Sequence, residues 1–204
     1  MILKTLGMLN WTHDLPSKED RLVFESVLDM IPPFPDILEI GTYTGTSLIA
    51  MNDYLLRKNS QANFTVVDIW VNYNEVGLGE KMIENGVEDA FYFNLSLFPR
   101  LIPNVTIYKK KSRDILIQFV REQRLFDFIY VDGSHACLDC YLDLELSWSL
   151  LKPGGILGID DFLWSIDSGK VLDIPFEAAN HFYREHESEL KVISSGYRVF
   201  LKKV

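Results

Sequence analysis

Cysteine is scarce: Cys137 and Cys140 are the only two in 204 residues. Three positions apart in a stretch of helical periodicity, they are poorly placed to staple distant segments. A disulfide scaffold is therefore excluded, and free thiols in a reducing, cytoplasmic compartment are the expectation. Long apolar runs are also missing. None reaches the roughly 18 residues that cross a bilayer, so no membrane partner is expected. Residues 1–16 hold Lys4, Trp11, His13 and Asp14 without an extended apolar stretch, which does not read as a signal peptide. Positive charge is in deficit, with 20 Lys and Arg against 29 Asp and Glu and a formal charge of −9. Such a chain gains little by displacing counterions from a polyphosphate, which disfavours nucleic acid as a partner. The one dense basic run, Lys109-Lys110-Lys111 with Arg113, reads as a solvated strand end. Repeats, low-complexity tracts and linkers are absent, so residues 1–204 are expected to form one domain, with 1–16 as an N-terminal extension.

What is present is an alternation of element types. Ser17-Lys18-Glu19-Asp20 resembles a capping box, apolar residues follow at helical spacing, and Pro32-Pro33 stops the helix. Short apolar runs at 37–40, 64–67, 105–108, 126–131 and 156–159 read as strands. Helical patterns fill 46–57, 81–98, 113–123, 137–151 and 176–186, and residues 70–80 read as a loop. Pro153-Gly154-Gly155 is expected to turn the chain into the fifth strand. The tail, 191–194 and 197–202 around Ser195-Gly196, reads as a hairpin. Strands without clean polar alternation, separated by helices, predict an α/β fold: a doubly wound, mostly parallel, seven-stranded Rossmann-like sheet closed by a C-terminal antiparallel hairpin.

In such a sheet, ligands bind beyond the carboxyl ends of the strands. Those ends carry Glu39 and Gly41, Asp68, Ser112, Asp132 to His135, and Asp160-Asp161. Gly41-Thr42-Tyr43-Thr44-Gly45 links the first strand to a helix. Gly41 suits a tight turn, and Gly45 a close approach of the helix to a ligand or strand. Asp68 ends the second strand, where a carboxylate can accept both hydroxyls of a ribose. Together they point to a nucleoside cofactor. The GxGxxG spacing of a pyrophosphate loop is missing. Glu39 would repel a pyrophosphate and suits a cofactor with an ammonium and a sulfonium.

Asp132, Asp160 and Asp161 lie on two strand ends that should be neighbours. Converging carboxylates call for a cation, and an all-oxygen set suits Mg2+, Ca2+ or Mn2+. The competing reading has one Asp capping a turn and the others solvated. His135 is placed either to take a proton from a substrate hydroxyl or simply to bond a backbone group at a helix start. His135-Ala136-Cys137-Leu138-Asp139-Cys140 has zinc-like spacing, but the other histidines, His13, His181 and His186, are remote in sequence, so four zinc ligands are not in prospect. Trp11, His13, Trp70, Tyr73, Phe162 and Trp164 are candidates for pocket walls or for plain packing.

These residues carry a resemblance. Leu38-Glu39-Ile40-Gly41-Thr42-Tyr43-Thr44-Gly45-Thr46-Ser47 resembles the first motif of class I methyltransferases dependent on S-adenosylmethionine (SAM), especially the small catechol O-methyltransferase type. Tyr130-Val131-Asp132-Gly133-Ser134-His135, Leu151-Lys152-Pro153-Gly154-Gly155 and Asp160-Asp161 are similar to the macrocin O-methyltransferase branch. The resemblance implies that Glu39, Gly41, Thr42, Tyr43, Gly45 and Ser47 surround the methionine end of SAM. Asp68 would hold the ribose, Ile69 would lie against the adenine, and Ser112 would hydrogen-bond it. It implies a metal at Asp132, Asp160 and Asp161, and catalytic roles for Asp132 and His135. His135 stands where catechol enzymes carry a lysine base, and Asp161 where they often carry Asn. The expected activity is metal-assisted O-methylation of a small-molecule hydroxyl, with a homodimer as the family's frequent assembly. The rivals are a nicotinamide-dependent oxidoreductase on a similar sheet and a SAM-binding module without catalysis.

Overall fold

The computed structural model describes residues 18–70, 87–164, 166 and 174–204. The expected extension at 1–16, the residues 71–80 and 81–86, and the wall candidates Trp11, His13 and Tyr73 lie outside them. The elements run α1 (Lys18–Leu28), β1 (Asp36–Ile40), α2 (Thr46–Arg57), β2 (Asn63–Asp68), α3 (Val87–Ser96), β3 (Val105–Lys109), α4 (Ser112–Arg121), β4 (Phe126–Val131), α5 (Cys137–Leu150), β5 (Leu151–Ile159), α6 (Pro175–His186), β6 (Leu190–Ser194) and β7 (Val199–Lys203). No helix among the described residues is long and apolar enough to cross a membrane.

The strands form one seven-stranded sheet in the order β3-β2-β1-β4-β5-β7-β6. The first five are mutually parallel, and β7 runs antiparallel to both β5 and β6. This is the doubly wound sheet with a terminal hairpin that the element pattern predicts. Alternate residues of each central strand are buried on opposite faces, which explains the lack of polar alternation in the sequence. Leu38, Ile40, Ile129 and Val131 pack with α4, α5 and α6 on one face. Ile37, Phe64, Phe128 and Tyr130 pack with α1, α2 and α3 on the other.

On that second face Phe128, Tyr130 and Phe200 lie nearly parallel, with ring centroids 6.2 to 6.5 Å apart. Gly158, on the intervening strand, makes room for them: a Cβ there would meet the Tyr130 ring at 2.6 Å and the Phe200 ring at 2.9 Å. One expectation is refined. Pro153-Gly154-Gly155 does not precede β5 but lies inside it, as an irregularity between the pairs Phe126–Leu151 and Phe128–Ile156. The extra residues are taken up by Gly154 at φ +78°, a backbone state that glycine adopts without strain.

Candidate active site

Register brings the strand ends level. Ile40 pairs with both Val67 and Val131, and Val131 pairs with Ile159. Three further backbone bonds continue the ladder one step: Gly41 N–H to Val67 O, Asp132 N–H to Ile40 O, and Asp160 N–H to Val131 O. Gly41, Asp68, Asp132 and Asp160 therefore stand side by side along one edge of the sheet. The strand order reverses between β1 and β4, and at such a switch point the two following loops leave in opposite directions and open a crevice. Gly41 and Asp132 flank it. They touch: a Cβ on Gly41 would fall 1.9 Å from the Asp132 carbonyl oxygen and 2.7 Å from Gly133 Cα. With φ at +78°, Gly41 is required here by both space and backbone geometry.

The glycine loop is held from within. Glu39 is fully buried at the end of β1, and its carboxylate accepts hydrogen bonds from the Thr42 and Ser47 hydroxyls. Burial pushes its pKa up to about 7, against the lowering effect of those two hydroxyls, and the charges of Asp68 and Asp160 add to the rise. Asp68 accepts from the Tyr43 and Trp70 backbone N–H groups at 2.9 and 2.7 Å. Burial raises its pKa too, with those backbone bonds opposing. Tyr43 is itself at φ +50° and partly exposed, and its carbonyl accepts from the Trp70 indole at 2.8 Å. Gly45 makes its close approach to α3: a Cβ there would meet the Phe91 ring at 3.0 Å. Trp70 packs against the same Phe91 with the rings tilted, at 5.0 Å between centroids. Ile69 follows Asp68 as a half-buried residue. Ser112 opens α4 as a half-buried residue.

Across the crevice, Asp132, His135 and Asp161 each offer a ligand atom, and these atoms all lie within 4.8 Å of one another. His135 Nε2 is 2.8 Å from Asp161 Oδ2, and its ring packs against Trp164 at 4.8 Å. Burial and the charges of Asp160, Asp161 and Glu39 hold Asp132 well above the usual carboxylate range. Burial also works to raise Asp161, but the bonded His135 and the Tyr197 hydroxyl outweigh it and leave its pKa low. Asp160 is otherwise engaged. Its Oδ1 accepts from the Asp161 backbone N–H at 2.7 Å, while its Oδ2 takes the Tyr130 hydroxyl and Arg198 Nε, the latter at 3.0 Å. The structure thus groups Asp132 and Asp161 with His135, and places Asp160 behind them. The two carboxylates of Asp132 and Asp161, in a site of surplus negative charge, fit a divalent cation, with the imidazole of His135 beside them.

Arg198, Tyr130, Tyr197 and Asp143 belong to this neighbourhood, and sequence reasoning did not single them out. One signal existed for Arg198: it is a lone cation opening the otherwise apolar run Val199-Phe200-Leu201. Phe162, a candidate wall, packs on Phe176, the second residue of α6, at 5.0 Å. Cys137 and Cys140 are free thiols, and burial raises the pKa of both.

Residues 38–162 match a family model described as a methyltransferase domain. The chain belongs to that methyltransferase family. A caffeoyl-CoA O-methyltransferase of Mesembryanthemum crystallinum is 29% identical over 164 residues, covering 79% of this chain and 58% of that protein. This chain therefore spans a little over half the length of that relative. Among solved structures, the O-methyltransferase TomG from Streptomyces achromogenes, in complex with SAM, has a TM-score of 0.66 at 17% identity, covering 99% of this chain and 88% of that one. The methyltransferase MycE, in complex with Mg, S-adenosylhomocysteine and mycinamycin VI, has a TM-score of 0.58 at 13% identity, covering 97% of this chain and 50% of that one. At these identities the solved structures bear on the fold alone.

Proposed function

We propose that this chain transfers a methyl group from SAM to a hydroxyl oxygen of a small molecule, assisted by a divalent cation such as Mg2+. The observation that carries the reading is the backbone contact of Gly41 with Asp132. It sets a loop suited to a nucleoside cofactor directly beside the Asp132–His135–Asp161 group at the switch point of the sheet. Membership of a methyltransferase family and a caffeoyl-CoA O-methyltransferase relative support it, and the neighbours that hold SAM, or Mg with S-adenosylhomocysteine, share the fold.

SAM supplies an electrophilic methyl carbon on a sulfonium. A bound cation supplies charge that makes an acceptor hydroxyl more acidic. The remaining work falls to the chain. Asp68 presents a carboxylate edge to the ribose hydroxyls while its backbone bonds fix the turn at Tyr43 and Trp70. Glu39, through Thr42 and Ser47, holds the glycine loop against the start of α2 and adds negative potential beneath the methionine end. Asp132 and Asp161 hold the cation. Asp160 fixes the Asp161 backbone from behind. His135 accepts the acceptor's proton, and Asp161 orients its ring and stabilises the imidazolium that results. Holding oxygen, carbon and sulfur in line then lowers the barrier by removing orientational freedom.

Calorimetric titration with S-adenosylhomocysteine, with Mg2+ and again with EDTA, is the first test. Micromolar binding that changes with metal is the expected result. Transfer of label from SAM to a panel of phenols, sugars and small polyhydroxylated metabolites then identifies the acceptor. Absence of binding by folded protein would overturn the reading.

A further inference from the structure

The opposite edge of the sheet, where the parallel strands begin, holds a cavity of about 320 Å³ that the chemistry above does not use. That volume is at the lower end of the range for small-molecule pockets. Register places it: Asp36 pairs with Asn63 at the start of β1 and β2, Thr65 pairs with Thr106 of β3, and Phe126 opens β4. Its floor is apolar, since Phe64 and Phe126 are only 1% and 2% exposed. Two charged side chains line it, Asp36 and Arg124. The anion is committed: Lys152 Nζ lies 3.3 Å from Asp36 Oδ2, and the Asn63 amide donates to Oδ1 at 3.2 Å. The cation is not. Half-buried Arg124 donates to the Thr65 hydroxyl at 2.9 Å and to the Tyr108 hydroxyl at 3.3 Å, both neutral. No carboxylate among the described residues pairs with it.

Those two bonds leave most of the guanidinium's N–H donors unused. The group is also held in place: its carbon lies 4.1 Å from the centroid of the Phe119 ring and 5.1 Å from that of Phe126. A fork already fixed by stacking loses little freedom when it binds. A half-desolvated cation beside an apolar floor, with donors to spare, suits an anion that carries an apolar body. We propose that this cavity is a small-molecule site separate from the crevice, taking a monocarboxylate with an aromatic or short aliphatic body. The carboxylate lies on the Arg124 fork, and the body lies over Phe64 and Phe126. A dianionic phosphate fits less well. It would meet one guanidinium for two charges, with Asp36 nearby, and the negative carboxyl ends of α2 and α4 finish on this edge. The cavity lies at the other end of the strands from Gly41 and Asp132, so its ligand does not depend on whether the chain binds SAM.

The test is an NMR titration of the isotope-labelled full chain, in EDTA, with benzoate, phenylacetate and hexanoate as probes. At least one should shift the Arg124 Nε–H and the Thr65, Thr106 and Leu125 amides saturably, with a Kd of about 1 mM or tighter, as suits so small a ligand. Benzamide has the shape of benzoate without its charge and should bind roughly tenfold more weakly, the scale of a charge-assisted hydrogen bond. Inorganic phosphate should also bind more weakly than the best acid. Arg124→Gln should abolish the shifts. If R124Q does not fold, Thr106→Trp serves: it fills the cavity from an exposed position on β3, leaves Arg124 in place, and should block the same probes. Thermal unfolding checks that each variant folds. The inference is overturned if no acid gives saturable shifts at about 10 mM. It is equally overturned if the shifts fall only on the crevice residues around Gly41 and Asp132, or if benzamide or phosphate binds as tightly as the best acid. Undiminished binding by folded R124Q or T106W overturns it too.

Discussion

Arg198 Nε lies 3.0 Å from Asp160 Oδ2 and 2.9 Å from the Tyr130 hydroxyl, so a cation from the C-terminal hairpin neutralises one of three converging carboxylates. The antiparallel pairing of Val199 with Ile159 makes this possible, because it brings the residue before β7 level with the residue after β5. Without Arg198, the buried Asp160 would be left with its charge uncompensated beside Asp132 and Asp161.

Arg198→Met should therefore destabilise the fold by about 3 kcal/mol, the range seen when one partner of a buried ion pair is removed. Loss of the guanidinium should also raise the Asp160 pKa further. The destabilisation should then be smaller at pH 5, where the carboxyl can carry a proton, than at pH 8. Urea unfolding at the two pH values measures both effects.

Glu39 gives a pH dependence of definite sign. Its folded pKa of about 7 lies above the usual 4.5, so the native state keeps a proton that the unfolded chain releases between those values. Stability from this group is present below about pH 4.5 and is lost as pH rises toward 7, by about 3 kcal/mol at most. Denaturant midpoints in EDTA should fall across that window. Glu39→Gln, which cannot titrate, should flatten the fall; an unaltered slope would show that other groups cause it.

Gly41→Ala places a methyl group into the Asp132 carbonyl and asks alanine to hold φ +78°. The strands on either side must separate or the loop must refold. A loss of at least 1 kcal/mol in stability is expected from the backbone strain alone. Binding of S-adenosylhomocysteine should weaken by about tenfold or more, since a displacement costing 1.4 kcal/mol suffices.

The acidic group makes a separable prediction about metal. Asp132→Asn and Asp161→Asn should each weaken Mn2+ or Mg2+ binding in calorimetry, whereas His135→Ala should chiefly lower kcat and remove the acid-side limb from its pH profile, where a protonated base is inactive. If H135A abolishes metal binding as completely as D161N does, the imidazole is a ligand rather than the base.

Sequence by itself determined the order and type of nearly every element described, because apolar periodicity and Gly or Pro punctuation are local properties. It also determined that Gly41, Asp68, Asp132 and Asp160 would end strands. Tertiary structure alone decided how those ends combine. The Val131–Ile159 register put Asp160 beside Asp132, and the positive φ of Asp161, at +52°, turned that residue toward His135 while Asp160 faced Arg198. Nothing in Asp160-Asp161 says which of two adjacent carboxylates will face the crevice. That depends on a hairpin about 40 residues downstream and on which buried partner each charge finds. Asp143 was hidden for the same reason. In sequence it is one more acid on an acidic helix, and only the packing of α5 beneath the loop after β4 brings its carboxylate against Gly133.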